Sequence, residues 1–174
     1  VIGQLKAPLG TYAVLGNHDW HTDGPGMRKA LEDQGIPVLE NESLRVNHQG
    51  HDFWIVGLAD FQTRKPDYKK AVATIDTDAP RIVLSHDPYT FAAVDNDIAI
   101  QLSGHTHGGQ VVFPFIGPVV KATQEAPLAW SYGLISHEQR QMIVSSGVGT
   151  SILPFKNTPN EIVQITLSNK GIAS

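Results

Sequence analysis

Three short apolar runs, residues 11–15, 82–84 and 98–102, each break off into a polar segment that carries histidine. An apolar run that stops abruptly in this way reads as a strand ending in a loop, and in an α/β protein functional loops gather at the C-terminal ends of strands. The three segments are Gly16, Asn17, His18 and Asp19; Ser85 and His86; and Gly104, His105, Thr106 and His107. The pattern points to a mixed α/β chain whose chemistry depends on whether those loops meet.

The residue types say what they would do together. A neutral imidazole offers a nitrogen lone pair to a divalent ion and Asn offers its carbonyl oxygen, so Asn17, His86, His105 and His107 are candidate metal ligands. Taken alone, a histidine after a strand, such as His86, is more often a hydrogen-bonded loop residue. At spacing two on an extended backbone, His105 and His107 turn both rings to one side, which suits a shared ion, although exposed polar alternation has the same spacing. Glycines at 16, 104, 108 and 109 allow tight bends and close approach with no Cβ in the way.

The rest of the chain alternates helical and extended patterns. Residues 25–34 carry Met27, Ala30, Leu31 and Gln34 at helical spacing and stop at Gly35, the signature of a short surface helix. Residues 53–58 form a continuous apolar run, a buried strand, and residues 66–75 read as a helix with Pro66 in its first turn. Asp87 and Pro88 start another helix, and residues 142–145 and 161–167 return as strands. There is no internal repeat and no low-complexity stretch.

Composition narrows the chemistry. With 174 residues, 41% of them hydrophobic, the chain has the length of one domain, residues 1–174. A net charge of −4 without a basic stretch argues against a nucleic-acid partner, so an anionic substrate has to be drawn in by bound cations. Cysteine is absent, which leaves only nitrogen and oxygen donors, a set that suits manganese, iron or zinc. No apolar run approaches the ~20 residues of a membrane span.

In combination the motifs resemble the calcineurin-like metallophosphoesterases, with their GNHD or GNHE loop, a later single histidine after a strand, and a GHxH loop. Here these are Gly16 to Asp19, His86, and Gly104 to His107, and the likeness extends through Gly108, Gly109, Gln110 and Val111 to residues 147–154. The sequence is most similar to the bacterial branch with GHTHGGQ. That resemblance implies a two-sheet β-sandwich flanked by helices and a divalent two-metal hydrolase (manganese, iron or zinc) of the phosphodiesterase or pyrophosphatase type. Its substrates would be small phosphodiesters or pyrophosphates, nucleotide-linked or lipid-linked. It also implies that Asn17, His86 and His105 hold the second metal and His107 the first. His18 would be the general acid, and Asp19 would orient its ring, a role for which a turn or helix cap is the simpler alternative.

The family pattern opens with an Asp-X-His motif and a GDxxD motif, and neither is present. The resemblance therefore implies an N-terminally truncated domain whose missing ligands lie upstream of Val1. Such a piece would hold one ion or none, hydrolyse weakly, and self-associate through an exposed sheet. A signal or anchor could lie upstream too, so both a cytoplasmic and a membrane-associated location stay open. The alternative is a non-catalytic relative that keeps part of the metal site for binding or scaffolding; His18 beside the ligands favours the enzyme. A metallo-β-lactamase-like reading fails because two glycines follow His107.

Weaker expectations attach to other residues. Trp20 and His21 are candidates to line the cleft. Arg64 and Lys65, near Asp60 and Phe61, read as solvated surface more readily than as a phosphate clamp, and Lys156 is a candidate phosphate contact. His48, His51 and His137 receive no role.

Overall fold

Four parallel strands, each ending on the same side, set the frame. In the computed structural model, which describes residues 2–118, 126–150 and 154–167, a six-stranded mixed sheet contains β1 (Glu42–His48), β2 (His51–Gly57), β3 (Arg81–Ser85), β4 (Ile100–Ser103), β7 (Gly133–His137) and β8 (Arg140–Val144). Their order is β1-β2-β3-β4-β8-β7, with β2, β3, β4 and β8 mutually parallel and the two edge strands antiparallel to their neighbours. A small antiparallel pair, β5 (Val112–Phe113) and β6 (Gly117–Pro118), stands apart. The chain is thus mixed α/β with few helices, as expected.

The central strands are buried on both faces, which β2, β3 and β8 meet with apolar residues and β4 meets by hydrogen-bonding its buried Gln101 to Thr90 and Ser103. On one face Trp54, Val56, Val83, Met142 and Val144 join Tyr68, Phe91 and Val94 in a closed core. The opposite face is thinner: Leu39, Val46 and Ile55 are its buried residues, with Leu9, Tyr12, Ile82 and Leu84 packed against them. Farther along that face the register aligns Leu84, Leu102, Ile143 and Leu134, a row that grades from half-buried to 64% exposed at Leu134. Among the described residues, no helix is long and apolar enough to cross a membrane.

Several local expectations change. The helix assigned to residues 25–34 is α1 (Asn17–Glu32), which begins eight positions earlier and breaks at Asp23 (φ −163°, ψ 75°) just ahead of Pro25. Proline has no N–H to donate and crowds the preceding turn, so the second half alone shows an uninterrupted helical pattern. The helix at residues 66–75 shrinks to α2 (Tyr68–Val72), because the Asp67 carboxylate caps Lys70 N–H and starts the helix after Pro66. Residues 11–15 make a single parallel bridge, Ala13 to Val38, rather than a strand. Residues 161–167 form no strand, and the start of that segment is instead anchored by Glu161 to the loop after β8. Asp87 caps a 3₁₀ turn, Pro88–Ala93, where a helix was expected to start.

Candidate metal centre

All four parallel strands send residues into one cavity of about 360 Å³. Gln62 comes from the loop after β2, His86 from β3, His105 and His107 from β4, and Ser146, Gly147, Val148 and Gly149 from β8. Asn17 and His18 reach it from the first turn of α1. The lining therefore contains Asn17, His18, His86, His105 and His107, five of the six residues singled out from the motifs; positions 151–153 of the resembling stretch lie outside the described residues.

Three donor atoms come together. His86 Nε2 lies 3.1 Å from Asn17 Oδ1 and 3.0 Å from His105 Nδ1. Around a tetrahedral ion with bonds of about 2.1 Å, donors sit about 3.4 Å apart, so this spacing is close to that of a ligand set. The chemistry of the contacts says the same. Asn17 Nδ2 donates to Gln62 Oε1 at 3.0 Å, which turns the Asn17 oxygen toward His86. The Gln62 amino group lies 3.0 Å from His105 Nε2, so that nitrogen accepts and the ring proton is on Nδ1, facing His86 Nε2. Accepting that proton, His86 Nε2 meets the Asn17 oxygen lone pair to lone pair, an arrangement that a cation relieves. Among the described residues, no three His, Asp or Glu side chains are grouped so as to hold one ion.

Electrostatics keeps the rings neutral. Burial, reinforced by His105, pushes the His86 pKa down to about 4. Burial likewise lowers His107, against a hydrogen bond to Gly149 that favours its protonated form. Neutral imidazoles are the form that binds metal.

The close approach at His86 explains Gly16. A Cβ there would meet the imidazole at 2.5 Å, so any larger residue displaces the ring. The loop after β4 departs from the extended backbone expected for it: His105 (φ 68°) and His107 (φ 51°) are left-handed on either side of Thr106. Thr106 imposes this turn by accepting Gly108 N–H and donating to Ser131 O at 2.6 Å. Left-handed non-glycine residues cost about 1–3 kcal/mol each and are held where the surroundings over-determine them, commonly at functional sites. Both rings still line the cavity, but they do different things: His105 joins His86, whereas His107 Nδ1 sits 2.8 Å from the carbonyl oxygen of Gly149.

Other expectations find different partners. The Asp19 carboxylate accepts Gly16 N–H at 2.9 Å, closing the first turn of α1 instead of reaching the His18 ring, whose aromatic neighbour is His21 in an edge-on contact. Trp20 lies under the Arg64 guanidinium at 3.8 Å, and Arg64 also pairs with Glu40, which occupies it away from the cavity. The Lys156 ammonium donates to the carbonyls of Ser146, Gly147 and Pro159, so it has no hydrogen-bond donor left over for a phosphate. Glu161 accepts from Ser145 Oγ, Ser146 N–H and the Tyr132 hydroxyl, and these bonds hold its carboxyl below the usual range. Lys156 and Glu161 together fasten the loop that carries Gly149.

Residues that sequence reasoning missed are Gln62 and Asp87. Asp87 is fully buried, and its Oδ2 lies 3.6 Å from His105 Nε2. No motif marks either residue; only the adjacency of β2, β3 and β4 brings them to the ligands.

Several known proteins are similar to this chain in sequence. The Bacillus subtilis uncharacterized metallophosphoesterase YkuE is 30% identical over 159 residues, 90% of this chain and 55% of its own. A Helicobacter pylori (strain J99) uncharacterized metallophosphoesterase is 32% identical over 181 residues, 99% of this chain and 46% of its own. The chain belongs to the metallophosphoesterases. It spans about half the length of these curated relatives. No family model matches it. Among solved structures, the Haemophilus influenzae NAD nucleotidase superposes with a TM-score of 0.46 at 19% identity, over 78% of this chain and 33% of that one. Membership of a metallophosphoesterase family implies divalent metal ions as cofactors.

Proposed function

We propose that this chain carries the metal-binding part of a phosphoric-ester hydrolase, with Asn17, His86 and His105 holding a single divalent ion. The observation that supports this most directly is that Asn17 Oδ1 and His105 Nδ1 both lie within 3.1 Å of His86 Nε2, where the first turn of α1 meets the ends of β3 and β4. A divalent ion bound there supplies Lewis-acid chemistry, lowering the pKa of water and drawing charge off phosphoryl oxygens. His107 is the remaining donor for a second ion. Among the described residues, no carboxylate lines the cavity to bridge two ions, so the lining they form fits one.

The chain's own residues supply the rest. His18 is the proposed general acid: it is exposed, lines the cavity, and lies on the first turn of α1, within reach of a leaving oxygen. Asp19 serves it indirectly, by holding the turn through Gly16. Among the described residues, no Lys or Arg lines the cavity, so the ion is the attraction for the substrate, a small phosphodiester or pyrophosphate, nucleotide-linked or lipid-linked. The apolar row ending at Leu134 is the surface through which copies of the chain would associate.

Calorimetric titration of the 174-residue chain with Mn²⁺, followed by turnover of bis(p-nitrophenyl) phosphate, tests the reading. Uptake of one ion and slow hydrolysis are expected, with His18→Ala lowering the turnover by about 100-fold while leaving Mn²⁺ binding intact. No uptake of Mn²⁺ refutes the ligand set, and unchanged turnover in the His18 variant refutes the general acid. The lack of a bridging carboxylate in the lining favours a second reading, a non-catalytic metal-binding or scaffolding relative. Uptake of one ion with no turnover at all selects it.

A further inference from the structure

The carboxamide of Gln62 spans the two ligands that flank His86, and neither end of it is accounted for by folding alone. We propose that Gln62 is a positioning residue of the centre, deciding which atom of Asn17 and which tautomer of His105 faces His86. This rests on the reading of Asn17, His86 and His105 as the ligand set.

The loop that carries Gln62 is fixed from beneath. Asp60, 1% exposed, accepts from the backbone N–H of Gln62 at 3.1 Å and of Thr63 at 2.8 Å, and from the Thr63 hydroxyl at 2.7 Å. The Gln62 side chain is itself exposed toward the cavity. It can be exchanged without opening the core.

For Asn17 the issue is direction. The carbonyl and amino ends of a carboxamide have nearly the same shape, and only the oxygen can hold a cation. Turned the other way, the Asn17 amino group would donate to His86 Nε2 and block the site with an ordinary hydrogen bond. Gln62 Oε1 takes the amino group at 3.0 Å and thereby keeps the oxygen on the His86 side.

For His105 the issue is the proton. With the Gln62 amino group 3.0 Å from Nε2, the proton stays on Nδ1, the nitrogen that faces His86. To act as a ligand Nδ1 must present its lone pair, and the proton must move to Nε2. Beside that nitrogen lies the Asp87 carboxylate, its Oδ2 at 3.6 Å. Gln62 therefore supports the ligand form of Asn17 while stabilising the metal-free form of His105. A ligating histidine whose other nitrogen faces a carboxylate is held in the binding tautomer. Replacing the amide by a carboxylate should then keep the first effect and reverse the second.

Two variants separate these effects. Gln62→Met removes both bonds at similar size; reversal of Asn17 replaces a ligand by a blocking donor, which outweighs the release of the His105 proton, and Co²⁺ binding should weaken about tenfold. Gln62→Glu keeps an acceptor for Asn17 and offers one to His105 Nε2–H, and should tighten Co²⁺ binding about tenfold. In the metal-free protein, ring ¹⁵N shifts should report His105 as the Nδ1–H tautomer in the parent and as Nε2–H in Gln62→Glu. Affinities that move together in the two variants, or stay within about twofold of the parent, overturn the proposal, as does a tautomer that Gln62→Glu leaves unchanged. If the parent takes up no Co²⁺ the ligand set itself has failed, and the ¹⁵N shifts still decide whether Gln62 sets the His105 proton.

Discussion

The two sides of the cavity are built differently. On one side Asn17, Gln62, His105 and His86 hold one another through side chains, each rooted at a strand end or a helix start. On the other, His107 leans on a backbone carbonyl of an exposed loop, and that loop is fastened from behind by Lys156 and Glu161. Side chains that fix each other at the ends of a sheet lose little conformational freedom when an ion arrives. A ring whose partner is loop backbone is only as well placed as the loop.

The largest expected effect is on the first side. Gly16→Ala puts a methyl group 2.5 Å from the His86 ring, which must leave its place beside Asn17 and His105. Co²⁺ affinity should fall by about 100-fold, as judged by titration of the visible absorption band. Retained affinity would mean that the His86 position does not matter, and the contrast between the two sides would disappear.

Acid should act on the same side. The His86 pKa of about 4 lies below the ordinary value of 6.5, so the unfolded chain binds this proton more readily than the folded one. Stability is therefore complete above pH 6.5, falls as the pH drops from 6.5 toward 4, and changes no further from this group below that. The loss is on the order of 3 kcal/mol, to be read from urea midpoints across the window, and His86→Gln should flatten the curve.

Smaller effects belong to the second side. Lys156→Met removes the donor to the Ser146, Gly147 and Pro159 carbonyls and should cost about 1–3 kcal/mol, with faster amide exchange in residues 145–149. His107→Ala should be smallest, changing the affinity for the first Co²⁺ by less than about threefold, whereas His105→Ala abolishes it. Equal losses in those two variants would show that the cavity works as one unit after all.

Much of the frame was legible in the residues. The run before His86 became β3 because a strand apolar on both faces has few other places to go, and β2 and β8 followed the same rule, whereas β4, before Gly104, is apolar on one face and buries Gln101 and Ser103 on the other. Edge strands β1 and β7 went unread, since a strand with one exposed face and mixed polarity resembles a loop in sequence. The left-handed turn at His105 and His107 was also unreadable, because it is imposed by Thr106 reaching Ser131, a neighbour only in space. Glu161 resembled the start of a strand, yet its carboxylate found three donors in the loop after β8 and at Tyr132, and that decided its backbone.

Residue types and local order determined which atoms can bind an ion here, because the donor chemistry of Asn and His is a property of the side chain wherever it lies. Tertiary structure alone decided that Asn17, His86 and His105 meet, that His107 stands apart from them, and that Gln62 and Asp87 both lie beside one imidazole nitrogen. Those are facts of distance between strands remote in sequence, and distance across a sheet is set by strand order and register, which no local pattern encodes.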